Sequence, residues 1–264
     1  MIRNMPGNIH RYFTWIGAIA LLSCACAADA ADKLLKIDTR PGVTVSYYYM
    51  PRADATATVV LLTGGNGSIG MRDGVPRSEN FLVRSRDLFA AHGFNIAIVG
   101  RPSDRQDLSS DFRIAPQHVE DLRKVVAHLK KNADLPIWLV GTSRGTVSAT
   151  AAAIEFGNDA LAGIVVTASI TRGTGAVPRQ NLERIRIPVL AVHHEKDGCA
   201  WCWPYEVSKI MKGLTNAPIK KQIMIGAGRG ASGDPCEALH WHGFIGAEKE
   251  TVDLIAAWIK RPIY

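Results

Sequence analysis

The 264 residues are 47% hydrophobic and 21% charged, a globular balance that excludes disordered, collagen-like and low-complexity chains. Lys and Arg exceed Asp and Glu by seven, yet no basic run or stripe gathers that charge, so the excess reads as solubility and nucleic acid is excluded as a partner. A chain of this length buries a sizeable core as one unit.

Residues 1–30 read as a secretory signal. Arg3 and Arg11 give a positive start, residues 12–22 are almost continuously apolar, and small residues lead to Ala28-Asp29-Ala30, with cleavage expected after Ala30 or, alternatively, Ala27. The apolar stretch is too short for a comfortable membrane span. Leu21-Leu22-Ser23-Cys24 loosely matches a lipoprotein box, so a lipid-modified Cys24 is the rival to a soluble periplasmic or secreted product. Cleavage removes two arginines and one aspartate, which takes the net charge from +7 to +6. Residues 31–264 are then expected to form a single catalytic domain, with Cys199, Cys202 and Cys236 in an oxidising compartment; one disulfide and one free thiol is the simplest arrangement.

In chain order, strands are expected over 34–38 and 43–50 around a Pro41-Gly42 turn, then a buried strand over 57–62. Helices over 79–91 and 116–131 alternate with strands over 95–99 and 136–140. A helix over 145–156, strands over 162–167 and 188–192, a helix over 205–214, a strand over 220–225 and a closing helix over 247–259 complete the pattern. Eight strands in βα alternation, several of them unbroken apolar runs, predict an α/β fold: a mostly parallel sheet with helices on both faces and an antiparallel start. Only twenty residues separate Thr167 from Pro188, too few for a large lid domain.

The sharpest motif is Gly141-Thr142-Ser143-Arg144-Gly145, set between the strand ending at Val140 and an Ala-rich helix. A sharp strand-to-helix turn lifts a serine hydroxyl above the sheet, flanking glycines let backbone approach, and the helix start favours developing negative charge. A serine needs a base, and the base needs a carboxylate to hold its tautomer. Asp197 follows the strand over 188–192, with Glu195 as the alternative acid. His242 stands in the loop before the last helix, with His240 as the alternative base.

These motifs, in this order over roughly residues 34–260, resemble the α/β-hydrolase family and its nucleophile elbow. The resemblance implies Ser143, Asp197 and His242 as a catalytic triad, no cofactor and no metal. It also implies an oxyanion site made by the N–H of Arg144 and that of Gly65 or Asn66, in a Thr63-Gly64-Gly65-Asn66-Gly67 loop where Thr63 replaces the family's usual histidine. The Arg144 side chain either binds an anionic group or reaches solvent.

The expected activity is hydrolysis of a small-molecule carboxylic ester, with an amidase or peptidase, or a non-catalytic binding protein on the same fold, as alternatives. Gly65-x-Gly67-x-x-Gly70 matches a dinucleotide fingerprint, but Gly74 and Pro76 interrupt the helix that such a site needs, which argues against a dehydrogenase. Cys199, Cys202, Cys236 and His240 would also suit zinc, although export favours a disulfide from Cys199 or Cys202 to Cys236, closing some 35 residues and stabilising by about 3 to 4 kcal/mol. Trp201, Trp203 and Trp241 fall in the same loops and suggest an aromatic wall beside the nucleophile. Composition leaves the oligomeric state open.

Overall fold

Gly42 takes φ 71°, a left-handed value open to glycine, and turns the chain between β1 (Lys33–Arg40) and β2 (Val43–Met50), which pair antiparallel. This computed structural model describes residues 1–2, 30–157 and 160–263, so the signal-peptide reading lies almost wholly outside the described residues.

Six further strands extend the hairpin into one sheet: β3 (Ala57–Leu62), β6 (Phe94–Pro102), β7 (Ile137–Thr142), β8 (Gly163–Thr167), β9 (Val189–His194) and β10 (Lys220–Ile225). Their order is β1-β2-β6-β3-β7-β8-β9-β10, antiparallel at β1-β2-β6 and parallel from β6 to β10. Two short strands, β4 (Met71–Arg72) and β5 (Val75–Pro76), form a separate hairpin.

The apolar runs of β3 and β6 are continuous because both faces of the sheet are covered. Val60, Leu62, Ala97 and Val99 pack on one face with α4 (Pro116–Asn132), α5 (Arg144–Phe156) and α6 (Val207–Gly213). On the other face, Val59, Leu61, Ile96 and Ile98 meet α1 (Phe81–Arg84), α2 (Arg86–Ala91) and α7 (Glu248–Lys260). The period-two split is what a strand buried on both sides requires.

Three details depart from the sequence reading. The helix expected over 79–91 breaks at Ser85 into α1 and α2. A four-residue helix, α3 (Ser110–Arg113), and the β4–β5 hairpin were not anticipated. Between β8 and β9 lie only two 3-10 turns, Val177–Arg179 and Leu182–Arg184, so no lid domain interrupts the sheet there. No described helix is long and apolar enough to cross a membrane.

Candidate active site

Ser143 sits where β7 hands over to α5, with φ 51° and ψ −127°. That region is sparsely populated for a side-chain-bearing residue and costs about 1–3 kcal/mol, so the surroundings must hold it. They do so through backbone: the Ser143 N–H donates to Thr167 O at 3.0 Å, and Ser143 O accepts from the Thr146 N–H at 2.9 Å and its hydroxyl at 2.6 Å.

Packing leaves no room for a Cβ at the flanking glycines. One on Gly145 would stand 1.9 Å from Leu62 O, and one on Gly141 would stand 2.5 Å from Gly145 O. The loop after β3 closes on the same turn, since a Cβ on Gly64 would meet Ser143 Cβ at 2.8 Å. Gly65 takes φ 54° in that loop. Among the described residues the N–H groups of Gly65 and Asn66 find no acceptor, and the Arg144 N–H opens a helix and so has no intrahelical partner.

Asp197 lies just past β9 and is buried. Its Oδ1 accepts from the Cys199 N–H at 3.0 Å, and its Oδ2 lies 2.9 Å from His242 Nδ1 and 3.2 Å from His193 Nε2. Burial pushes this carboxyl up, but the bonds to His193 and His242 outweigh it and leave the group at about 2, ionised across the neutral range. Glu195, the alternative acid, is exposed and packs toward Gly226.

His242 belongs to a 3-10 turn, Trp241–Gly243, whose exit Phe244 is left-handed (φ 58°) and fully buried against Phe81. A Cβ on Gly243 would fall 1.9 Å from Ala238 O, so this turn is also glycine-dependent. His240, the alternative base, stands edge-on to Trp241 and makes no contact with Asp197. The Cys199–Cys236 disulfide ties the acid loop to the histidine loop.

Ser143, Arg144, Gly65, Asn66 and His242 all line one cleft of ≈ 1220 Å³. Strand ends set Ser143 and Asp197 at the carboxyl edge of the parallel sheet, where such a crevice is expected. The arrangement brings a serine, an imidazole held by a buried carboxylate and N–H groups without acceptors to one cleft.

No protein-family profile matches the chain, and no curated protein sequence does. Solved structures do match, over most of this chain. A serine hydrolase homologue from Coxiella burnetii superposes with a TM-score of 0.62 at 15% identity, covering 85% of this chain and 96% of that one. An esterase from Pyrococcus furiosus gives 0.65 at 14% identity, covering 88% and 91%. A serine hydrolase without a lid from Xanthomonas campestris gives 0.55 at 16% identity, covering 85% and 94%.

The chain has the α/β-hydrolase fold. On this scaffold the open choice of disulfide partner falls to Cys199, and Cys202 is the free thiol, unbonded and buried. Cys236 brings its Cα within 4.5 Å of that of Cys199, while Cys202 turns inward beside Ser143, whose hydroxyl contacts its thiol. Burial pushes that thiol well above its usual range, which suppresses the reactive thiolate. Ligand atoms of Cys199, Cys202 and His242 lie within 4.8 Å of one another, but Cys199 is committed to the disulfide, which argues against a zinc site.

The aromatic wall is also reduced. Trp201 lines the cleft, Trp203 pairs with Tyr205 beneath Arg172, and Trp241 stacks on His194 at 4.8 Å. The Arg144 side chain reaches Asp107 at 3.6 Å. The Gly65–Gly70 segment is followed by the β4–β5 hairpin rather than by a helix. His193, which no sequence motif singles out, reaches Asp197 from β9, whose last two residues are both buried histidines.

Proposed function

We propose that this protein is a serine hydrolase that cleaves small carboxylic esters through an acyl-enzyme on Ser143. The observation that carries the reading is that His242, held through Nδ1 by the buried Asp197, lines the same cleft as the strained Ser143. His242 takes the Ser143 proton as the hydroxyl attacks the ester carbonyl, and the oxyanion is held by the N–H of Arg144 and of Gly65 or Asn66. Collapse expels the alcohol with the proton from His242. Water then repeats the sequence on the acyl-enzyme and frees the acid.

Small esters are favoured over bulky ones or long peptides because the loops around the cleft are short and no lid domain covers it. Likeness to structures described as esterases supports the same reading. Residues 31–264 act as one catalytic domain, exported to the periplasm or beyond, a reading supported by the disulfide and the N-terminal signal pattern.

The test is intact-mass analysis after treatment with a fluorophosphonate. Wild type is expected to gain one adduct that Ser143→Ala lacks. Folded wild type that gains none would exclude an activated serine.

A further inference from the structure

We propose that Arg113 is a positioning residue of this site, holding the loop that carries Gly65 and Asn66 and placing a fixed positive charge behind the oxyanion position. This rests on the serine hydrolase reading. Arg113 is the largest fully buried side chain among the described residues, at 1% exposure, and no carboxylate there lies within ion-pair distance of it. Its partners are neutral: Nε donates to Leu108 O at 2.9 Å, Nη1 to Ser148 Oγ at 3.0 Å and Nη2 to Gly65 O at 3.3 Å.

One guanidinium therefore fastens three segments. Ser148 lies on α5, five residues after Ser143; Leu108 packs against Gly67, where a Cβ would stand 2.5 Å from Leu108 Cδ1; Gly65 belongs to the loop packed on Ser143. His118 Nε2 bonds the same Ser148 hydroxyl at 2.9 Å and stays neutral, because burial and the charge of Arg113 both disfavour its protonation. The nearby charges are Arg144, of like sign, and Asp107, half exposed and itself paired with Arg144.

The Gly65–Asn66 peptide is trans, so its carbonyl and its N–H point in opposite directions. Arg113 takes the carbonyl, which turns the Asn66 N–H away from Arg113 and polarises it as a donor. Asn66, rather than Gly65, is then the loop's oxyanion donor. A buried guanidinium that lacks a counter-ion is costly in the resting protein and gains its compensation when negative charge develops on the substrate. A neutral ester carries no such charge, so the gain falls on the transition state and on kcat rather than on KM.

The experiment measures steady-state hydrolysis of p-nitrophenyl acetate, together with affinity for phenylboronic acid, which forms an anionic tetrahedral adduct with an activated serine. For Arg113→Met, kcat is expected to fall by about 10- to 100-fold with KM within about twofold, and boronate affinity to fall in parallel. Arg113→Lys, which keeps the charge but not the fork, is expected to recover part of both losses. It also serves if Arg113→Met does not fold, with kcat below wild type and KM unchanged. A folded Arg113→Met with wild-type kcat and boronate affinity would overturn the proposal while fluorophosphonate labelling of Ser143 stood. So would Arg113→Lys equal to wild type where Arg113→Met does not fold. Wild type that is neither labelled nor active would overturn the hydrolase reading, and this proposal with it.

Discussion

The two sides of the cleft are built differently. On the nucleophile side, the turn around Ser143 is fixed by main chain packed against main chain, with Gly64, Gly141 and Gly145 leaving no space for a Cβ. On the acid–base side, Asp197 and His242 stand on irregular segments, much of the stretch before His242 being exposed, and what joins them is a disulfide, a buried Phe244 and the His194–Trp241 stack. The first side is set by the core of the sheet. The second is held by a covalent link and a few anchors, so the two should fail under different perturbations.

The largest effect expected is on chemistry that needs both sides. Asp197→Asn keeps the shape but not the charge that orients His242, and kcat for p-nitrophenyl acetate should fall by about 10⁴-fold. Steady-state kinetics check this, and a fall of less than tenfold would show that the carboxylate is not part of a triad. Next comes the nucleophile side alone: Gly145→Ala pushes a methyl into Leu62 O and should destabilise by about 3 kcal/mol or more, read as a lost or strongly lowered thermal midpoint.

Cys236→Ser probes the other side. The bond closes a separation of 37 residues, so its loss should lower stability by up to about 4 kcal/mol in the chain-entropy account, with kcat reduced through looser placement of His242. Calorimetry and kinetics together read it. A variant with an unchanged thermal midpoint and unchanged kcat would mean that the crosslink holds neither loop.

The smallest effect is a pH dependence. His118 is held down at about 3 by burial first, then by the charges of Arg113 and Arg40, whereas in the unfolded chain it titrates near its ordinary 6.5. Its contribution to stability is therefore complete above pH 6.5 and is lost as pH falls from there towards 3, with a slope of at most about 1.4 kcal/mol per pH unit. His194, also lowered by burial, adds in the same direction. Asp197 acts in a lower window, between 3.8 and about 2. Urea unfolding from pH 7 to 4 should show a shallower slope for His118→Gln than for wild type.

Much of the fold was legible because the strands carry it. Strands 43–50, 57–62 and 220–225 match the sequence reading residue for residue, and the rest differ by a few residues at their ends, since strand-forming runs bounded by turn residues have few other uses. The turn at Ser143 was legible for the same reason: its glycines answer to local geometry. The break at Ser85 left no trace, because a buried serine between two short helical turns does not disturb the apolar period.

Arg113 was invisible for a different reason. In sequence it is one charged residue in a short polar stretch, and two of its three partners lie 35 and 48 positions away. The choice among Cys199, Cys202 and Cys236 likewise depended on which loop turned inward, and His242 over His240 depended on which ring met Asp197. Sequence order named the candidates, but only distance could separate them.

The central claim, that Ser143 is acylated with His242 as its base, is tested most directly by acid-quenching the protein during turnover of a p-nitrophenyl ester and weighing it intact. Wild type should carry one acyl group that maps to Ser143, and neither Ser143→Ala nor His242→Ala should accumulate it at the wild-type rate. Undiminished turnover by Ser143→Ala, with no acyl group on Ser143 in wild type, would contradict the account.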